Sequence, residues 1–548
     1  MIKPASMWKL RAFVPSQYAD AVLLSVGQEG SIHFIDLKER LGDFGGALEA
    51  VNPGEAFVFR TTDLTHRLSK LMKTLDVAEI GPTESSKFEG RSSSKDALTE
   101  VERTIEEIEG LAQEYTSRLA EYESAEDHSE ESAEESQKLR EQLKTLGAQR
   151  KEQLQRMSLV LEVQRRIAEL KLMLLRSKRT FYLEGWVPKK NLKKIIERIE
   201  NASDRCAATM MEPPEHGEEP PTLLMNPSFI RPVESLVSGY GLPSQRELDP
   251  TKIMAITFPL VFGLMFADIG HGLLLLLFGL IAIYLRKRMA NLGDILKLVL
   301  GAGELYVLLG AFGVFGGLLF GEFFGYHLGH FGIEEPPLGF LLKLIPGIGK
   351  VFSPVDEPMK MFKLSIMFGV IQISIGILFN LFNKLGEREY KGAVFESGCW
   401  LWFYLGLMYL VFTFKFNIDL WFKSLNLVAP LVIAPIVVML AGKALTEGFM
   451  EGFSFVVEAA TSSIGNTVSY GRILALNLSH AYMSSMFVIF SEGQILPLQI
   501  LIIAVGTIVV MVLEGLIIFV HTVRLHWVEW FSKFHKGEGI KYVPFKSI

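Results

Sequence analysis

The chain changes its solvent preference near residue 250, and no other feature constrains its fold as much. Up to that point it is rich in Glu, Lys, Arg, Ser and Gln, whereas long apolar runs dominate from Ile253 onward. The whole-chain figure of 49% hydrophobic residues averages two unlike halves. The pattern is that of a cytoplasmic domain over 1–250 followed by a polytopic α-helical membrane domain over 251–548. Cys206 and Cys399, one in each half, cannot make a disulfide framework. No basic patch with interleaved aromatics is present, which argues against nucleic acid as a partner. The start, MIKPASMWKLRAFV, lacks a signal-peptide apolar core, so the polar half is expected in the cytoplasm.

The polar half reads as an α/β lobe interrupted by a helical insertion. A strand over 7–14, a helix to about residue 28 and a strand over 31–37 form one unit. A strand over 180–187, a helix over 189–201 and a strand over 205–211 form a second. Together they predict a split, ferredoxin-like lobe over 1–40 and 178–212. Between them, at about 60–177, Leu98, Val101, Ile105, Ile108, Leu111, Tyr115, Leu119 and Tyr122 step by three or four residues. Leu139, Leu143, Leu146, Leu154, Met157, Leu161, Ile167 and Leu174 do so less strictly, and the pair predicts an antiparallel hairpin. Its tip, 121–135, is acidic without Lys or Arg and reads as a solvated loop. A Pro/Glu/Gly-rich stretch opens the linker over 212–250.

The membrane half predicts about eight spans. Ile253–Leu285, interrupted by Asp268, Gly270 and His271, reads as a tight helical hairpin, and further spans fit 295–320, 361–383, 396–414, 426–445, 454–490 and 497–531. The segments 286–297 and 384–391 and the C-terminus are rich in Lys and Arg. The segment 321–360 carries Glu322, Glu334, Glu335, Asp356 and Glu357 against three lysines. This is the positive-inside pattern for both termini in the cytoplasm. The last two helices, at about 37 residues or 55 Å each, exceed a bilayer core and must tilt or project from it. Gly313, Gly317, Gly321 and Gly325 recur every four residues and read as a packing ridge.

The last two spans also hold the most costly residues. Arg472 and Arg524 lie inside or at the end of apolar stretches. An arginine at the bilayer centre costs roughly 2.5–3.5 kcal/mol on insertion scales and cannot shed its proton. Such a residue either snorkels to the interface or faces a polar path. Glu458, His480 and Glu514 accompany the two arginines. Asp268 and His271 suit either an ion gate or a helix cap. No GxxxxGK[ST] loop occurs, which argues against ATP binding through a P-loop. His327 and His330 lack further ligands, so no metal and no cofactor are expected.

FPLVFGLMFADIGHG (258–272) resembles the signature of the a subunit, also called subunit I, of rotary V-type and A-type ATPases. So do FYLEGWVP (181–188), residues 221–250, GNTVSYGRILALNLSHAYMS (465–484) and the tail over 513–545. The resemblance implies a membrane stator that forms two ion half-channels against a rotor ring of proteolipid (c) subunits. It couples H⁺ or Na⁺ movement to ATP synthesis or hydrolysis without itself being catalytic for ATP. The family's rotor-facing arginines fall on Arg472 and Arg524, and its half-channel positions on Glu458, His480 and Glu514. It further implies contact with membrane lipid and peripheral-stalk subunits, in a multi-pass protein of a prokaryotic plasma membrane. The chain departs from the family at Asn466, a histidine in some relatives, and in the short acidic tip where a second α/β lobe would stand. The rival readings are a secondary transporter of a small solute, whose internal repeats are not evident here, and a structural anchor, which needs no membrane arginines.

Overall fold

The computed structural model describes residues 3–44, 48–51, 55–77, 94–124, 130–215, 217–288, 293–333, 335–345, 348–414 and 418–546. It divides into two compact units, Ala5–Pro221 with Lys541–Ile548, and Met1–Pro4 with Thr222–Ile540.

In the first unit the order is β1 (Met7–Pro15), α1 (Ala19–Glu29), β2 (His33–Phe34), β3 (Glu49–Ala50), α2 (Glu55–Thr74), α3 (Ser94–Ser124) and α4 (Glu130–Lys171). Then follow β4 (Leu175–Arg176), β5 (Thr180–Pro188), α5 (Leu192–Ala202) and β6 (Ala208–Glu212). β1 pairs antiparallel with both β5 and β6, and β2 pairs antiparallel with β5, giving the lateral order β6-β1-β5-β2 of a split βαβ lobe. Leu10, Ala12 and Val14 alternate inward along β1 and pack with Val22, Leu23 and Val26 of α1 and Ile195 and Ile199 of α5. β2 is shorter than its sequence predicts, because pairing with β5 covers His33 and Phe34 alone and a 3₁₀ segment begins at Lys38.

The inserted helices pack as three rather than two. Leu64, Leu68 and Leu71 of α2 join Val101, Ile105 and Ile108 of α3 and Leu154, Met157 and Leu161 of α4 in one core. Leu111, placed on the buried stripe by its spacing, is 37% exposed. Of the acidic tip, 125–129 lie outside the described residues.

The second unit begins with α6 (Arg231–Tyr240), α7 (Thr251–Phe266), α8 (Ile269–Arg288), α9 (Asp294–Gly301) and α10 (Gly303–Phe320). Among the described residues, seven helices are long and apolar enough to cross a membrane: α8, α10, Pro358–Gly386, Tyr390–Phe414, Leu425–Thr446, Phe449–Ser491 and Leu496–Lys533. α7 has 16 residues, or about 24 Å, and is shorter than a ~30 Å core. The expected single span over 295–320 is interrupted at Gly301-Ala302-Gly303, where α9 ends and α10 begins.

Close backbone contact holds α7, α8 and α10 together. A Cβ on Gly316 would fall 2.1 Å from the Gly263 carbonyl oxygen, and one on Gly310 would fall 2.4 Å from the Leu276 nitrogen. Small residues permit this approach, which in lipid replaces the hydrophobic drive between helices. The ridge differs from the one expected at Gly313, Gly317, Gly321 and Gly325. The first two lie on the packed face of α10, but Gly321 (φ 82°) and Gly325 (φ 76°) are turn residues beyond it. Gly316→Ala forces two backbones apart and should destabilise by about 1–3 kcal/mol, read as a lower melting temperature in detergent. Gly301→Ala, with nothing within 4 Å of the added carbon, should shift melting little. Equal shifts would refute the packing argument.

Candidate functional site

The site is built by the last two long helices and the α7–α8 turn. The helix Phe449–Ser491 is interrupted at Tyr470–Gly471, where the fully buried Tyr470 ring packs over Gly369. Arg472 therefore opens a new helical segment, where the positive end of the helix dipole disfavours a cation. Glu529, 3% exposed at the side chain, answers that charge by an ion pair through Nη2 of Arg472. Nη1 of Arg472 and Oε2 of Glu529 are buried without hydrogen-bond partners.

The last helix contains two π-turns, at Val510–Glu514 and Leu525–Trp530. Such turns rotate the faces on either side of them and recur at functional sites. Here the first ends on Glu514, which is buried, and the second follows Arg524, which is exposed and has no ion pair among the described residues. His521 lies within electrostatic range of both Arg472 and Arg524. His526 anchors the second π-turn, with Nδ1 2.8 Å from the Thr522 carbonyl and Nε2 3.0 Å from Thr257 of α7.

His480 and Glu514 meet across the two helices, with Nδ1 2.7 Å from Oε2, and Ser479 donates to the other carboxylate oxygen at 3.2 Å. Nε2 of His480 is buried and unpaired. Beside it lies the α7–α8 turn. Asp268 caps α8 by accepting the His271 backbone N–H at 2.9 Å, and its second oxygen accepts from Gly325 N at 3.0 Å. The His271 ring lies 5.2 Å from the His480 ring, centroid to centroid. Asp268 thus is a helix cap and also a neighbour of His480. Asp268, Glu322, Asn477 and His480 line a small pocket with room on the order of one water.

The sequence-predicted residues therefore separate. His480 and Glu514 are joined, Arg472 is paired to Glu529, and Arg524 stands exposed on the last helix. Glu458 is exposed and has Lys533 as its charged neighbour, a lysine that is also within electrostatic range of Glu529. Sequence reasoning gave Glu529 and Glu322 no individual role. Glu529 stands five residues after Arg524, a spacing that marks no shared face on a regular helix. Glu322 reads as one of several acidic loop residues. His327 accepts from the Gly329 backbone N–H at 3.2 Å and caps a 3₁₀ turn.

The description "V-type ATPase 116kDa subunit family" matches residues 101–334 and 444–547. A protein named A-type ATP synthase subunit I from Methanocaldococcus jannaschii is 30% identical over 401 residues, covering 67% of this chain and 55% of that protein. Its namesake from Pyrococcus horikoshii is 28% identical, covering 68% and 55%. The vacuolar proton translocating ATPase 100 kDa subunit of Dictyostelium discoideum is 24% identical, covering 66% and 58%. The matches thus span little more than half the length of these relatives.

Glu322 lies just beyond the end of α10, and burial, with Asp268 and Asp356 nearby, pushes its carboxyl up to about 7. The ordinary value is 4.5. A carboxyl raised in the folded state contributes its stability fully below the unfolded value and loses it as pH rises through the folded one. The wild-type melting temperature should therefore fall between about pH 4.5 and 7 relative to Glu322→Gln. Parallel melting curves for the two proteins across that range would refute the assignment.

Proposed function

The chain belongs to the V-type ATPase 116kDa subunit family, and from that premise we propose that it is the membrane stator of a rotary ATPase or ATP synthase. One observation carries this reading above others. The last two helices carry Arg524 exposed and Arg472 partly exposed among exposed apolar side chains, while His480–Glu514 is sealed behind them. Val468, Leu513, Leu516, Ile517 and Val520, all exposed, suit contact with a second apolar helical surface in the membrane. A ring of proteolipid helices, each with one carboxylate, is the partner this face fits.

An ion enters one half-channel, neutralises a ring carboxylate and rides with the ring. It leaves through the second half-channel when the carboxylate approaches the arginines. Their fixed charge favours the ionised carboxylate and so expels its ion. Glu529 holds Arg472 oriented, with part of its side chain exposed on the face offered to the ring. A positive charge that cannot titrate between the two paths prevents an ion from crossing without rotation. His480 and Glu514 belong to the far-side half-channel, and Glu458 to the near-side mouth. The ring's own carboxylate site selects H⁺ or Na⁺. α7 and α8 form the first pair of eight spans, with both termini cytoplasmic and the three-helix insertion meeting the peripheral stalk.

Arg472→Ala should abolish ATP-coupled ion transport in an assembled complex, whereas Lys should retain part of it. Near-normal pumping by the Ala variant would overturn the role. Glu514→Gln keeps shape and hydrogen bonding but loses charge. It should lower transport more than assembly, with Glu514→Asp between it and wild type. A cysteine at position 353, replacing Ser353 in a background without Cys206 and Cys399, should react with an impermeant thiol reagent from the outside. Reaction in inverted vesicles alone would refute the orientation. A small-solute transporter would purify in mild detergent without a proteolipid ring.

A further inference from the structure

We propose that Asp268, His271 and His480 form a binding site for a divalent cation of the Zn²⁺ class, and that its occupancy closes the far-side path. One ligand atom from each of these three buried residues lies within 4.8 Å of the others. Zn²⁺ holds His nitrogens at about 2.0–2.1 Å, which puts tetrahedral ligands roughly 3.4 Å apart. Asp268 Oδ1 and His271 Nδ1 already stand 3.1 Å apart. The longest side closes by roughly 1.5 Å, within reach of small side-chain rotations.

Each ligand atom is poised for a metal. His480 turns Nδ1 to Glu514 at 2.7 Å, so the proton belongs there and the lone pair sits on Nε2, which has no partner. A carboxylate behind a ligating imidazole is the arrangement that fixes tautomer and ring direction at zinc sites. His271 Nδ1 is buried and faces Asp268 Oδ1 at 3.1 Å, where a cation would displace the proton between them. Both Asp268 oxygens accept one backbone N–H and keep further lone pairs. The adjoining pocket, lined by Asn477 and Glu322, has room for a water as the fourth ligand. Two imidazoles with one carboxylate favour Zn²⁺ or Co²⁺ over the oxygen-seeking Mg²⁺ and Ca²⁺.

The metal site stands on geometry alone, whereas its blocking effect rests on the stator reading. The two are therefore tested separately. Co²⁺ titrated into the purified complex should give visible bands of a four-coordinate ion at about one per chain, displaced by Zn²⁺ and not by excess Mg²⁺. His271→Gln should weaken Co²⁺ binding at least tenfold. Glu514→Gln, which leaves all three ligands in place, should weaken it by about 10–100-fold through the lost second-layer carboxylate. Replacing the half-buried His327 and the exposed His330 with Ala should leave the bands unchanged. Absence of the bands, or their loss in the His327/His330 variant and survival in His271→Gln, overturns the site. In a transporting complex, Zn²⁺ added on the far side should inhibit. His271→Gln should raise the half-inhibiting concentration at least tenfold, measured against that variant's own rate. Binding without inhibition overturns the block and leaves the stator reading standing.

Discussion

The ion pair between Arg472 and Glu529 is the interaction on which the membrane unit most depends. A guanidinium among apolar helices cannot neutralise itself by losing a proton. At the start of a helical segment it also meets the wrong end of the helix dipole. Glu529, itself almost wholly buried, offsets both costs. The pair ties the two long helices together across 57 residues of sequence. It is incompletely satisfied, with one guanidinium nitrogen and one carboxylate oxygen buried and unbonded. Each unsatisfied buried charge-bearing atom is costly.

The rest of the site follows from how closely α7, α8 and α10 pack. Glycine contacts at Gly263–Gly316 and Gly310–Leu276 bring backbones together. That packing fixes the turn at Ala267–Asp268, a non-glycine pair in which Ala267 has φ 20°. Asp268 then caps α8 and reaches Gly325 in the following turn, so one carboxylate fastens two elements. Asn477 donates to the Leu264 carbonyl at 2.9 Å and secures the helix bearing His480 against the end of α7. The separation of His271 from His480 is thereby set by backbone geometry rather than by the two imidazoles.

Much of this was legible in the sequence, for identifiable reasons. Apolar runs and their flanking charges announce membrane helices because the bilayer imposes a length and a backbone rule. Strand alternation around Leu10, Ala12 and Val14 announced the sheet. The residues that escaped depend on irregular backbone. Gly310 and Gly316 are off the four-residue repeat, since α10 packs against two neighbours and therefore needs two small faces. Glu529 falls inside a π-turn, where the ordinary 3.6-residue phase no longer says which residues share a face. Glu322 is acidic in an acidic segment, and its burial arises only from the fold around it.

A π-turn is wider than an α-turn, weakens local hydrogen bonding, and is kept only where something is gained. Ten residues of regular helix, Gly515–Arg524, lie between them. On an unbroken α-helix, residues 514 and 524 would differ by about 280° in direction, and 524 and 529 by about 140°. Each π-turn adds one residue to a turn and so shifts the phase of everything beyond it. In the helix as it stands, Glu514 is buried against His480, Arg524 is exposed, and Glu529 is buried against Arg472. One continuous helix thereby serves an interior polar path, an exposed apolar face and a buried counter-ion in succession. Removing the second π-turn would redirect Glu529 away from Arg472 and leave the guanidinium without its only ion-pair partner among the described residues.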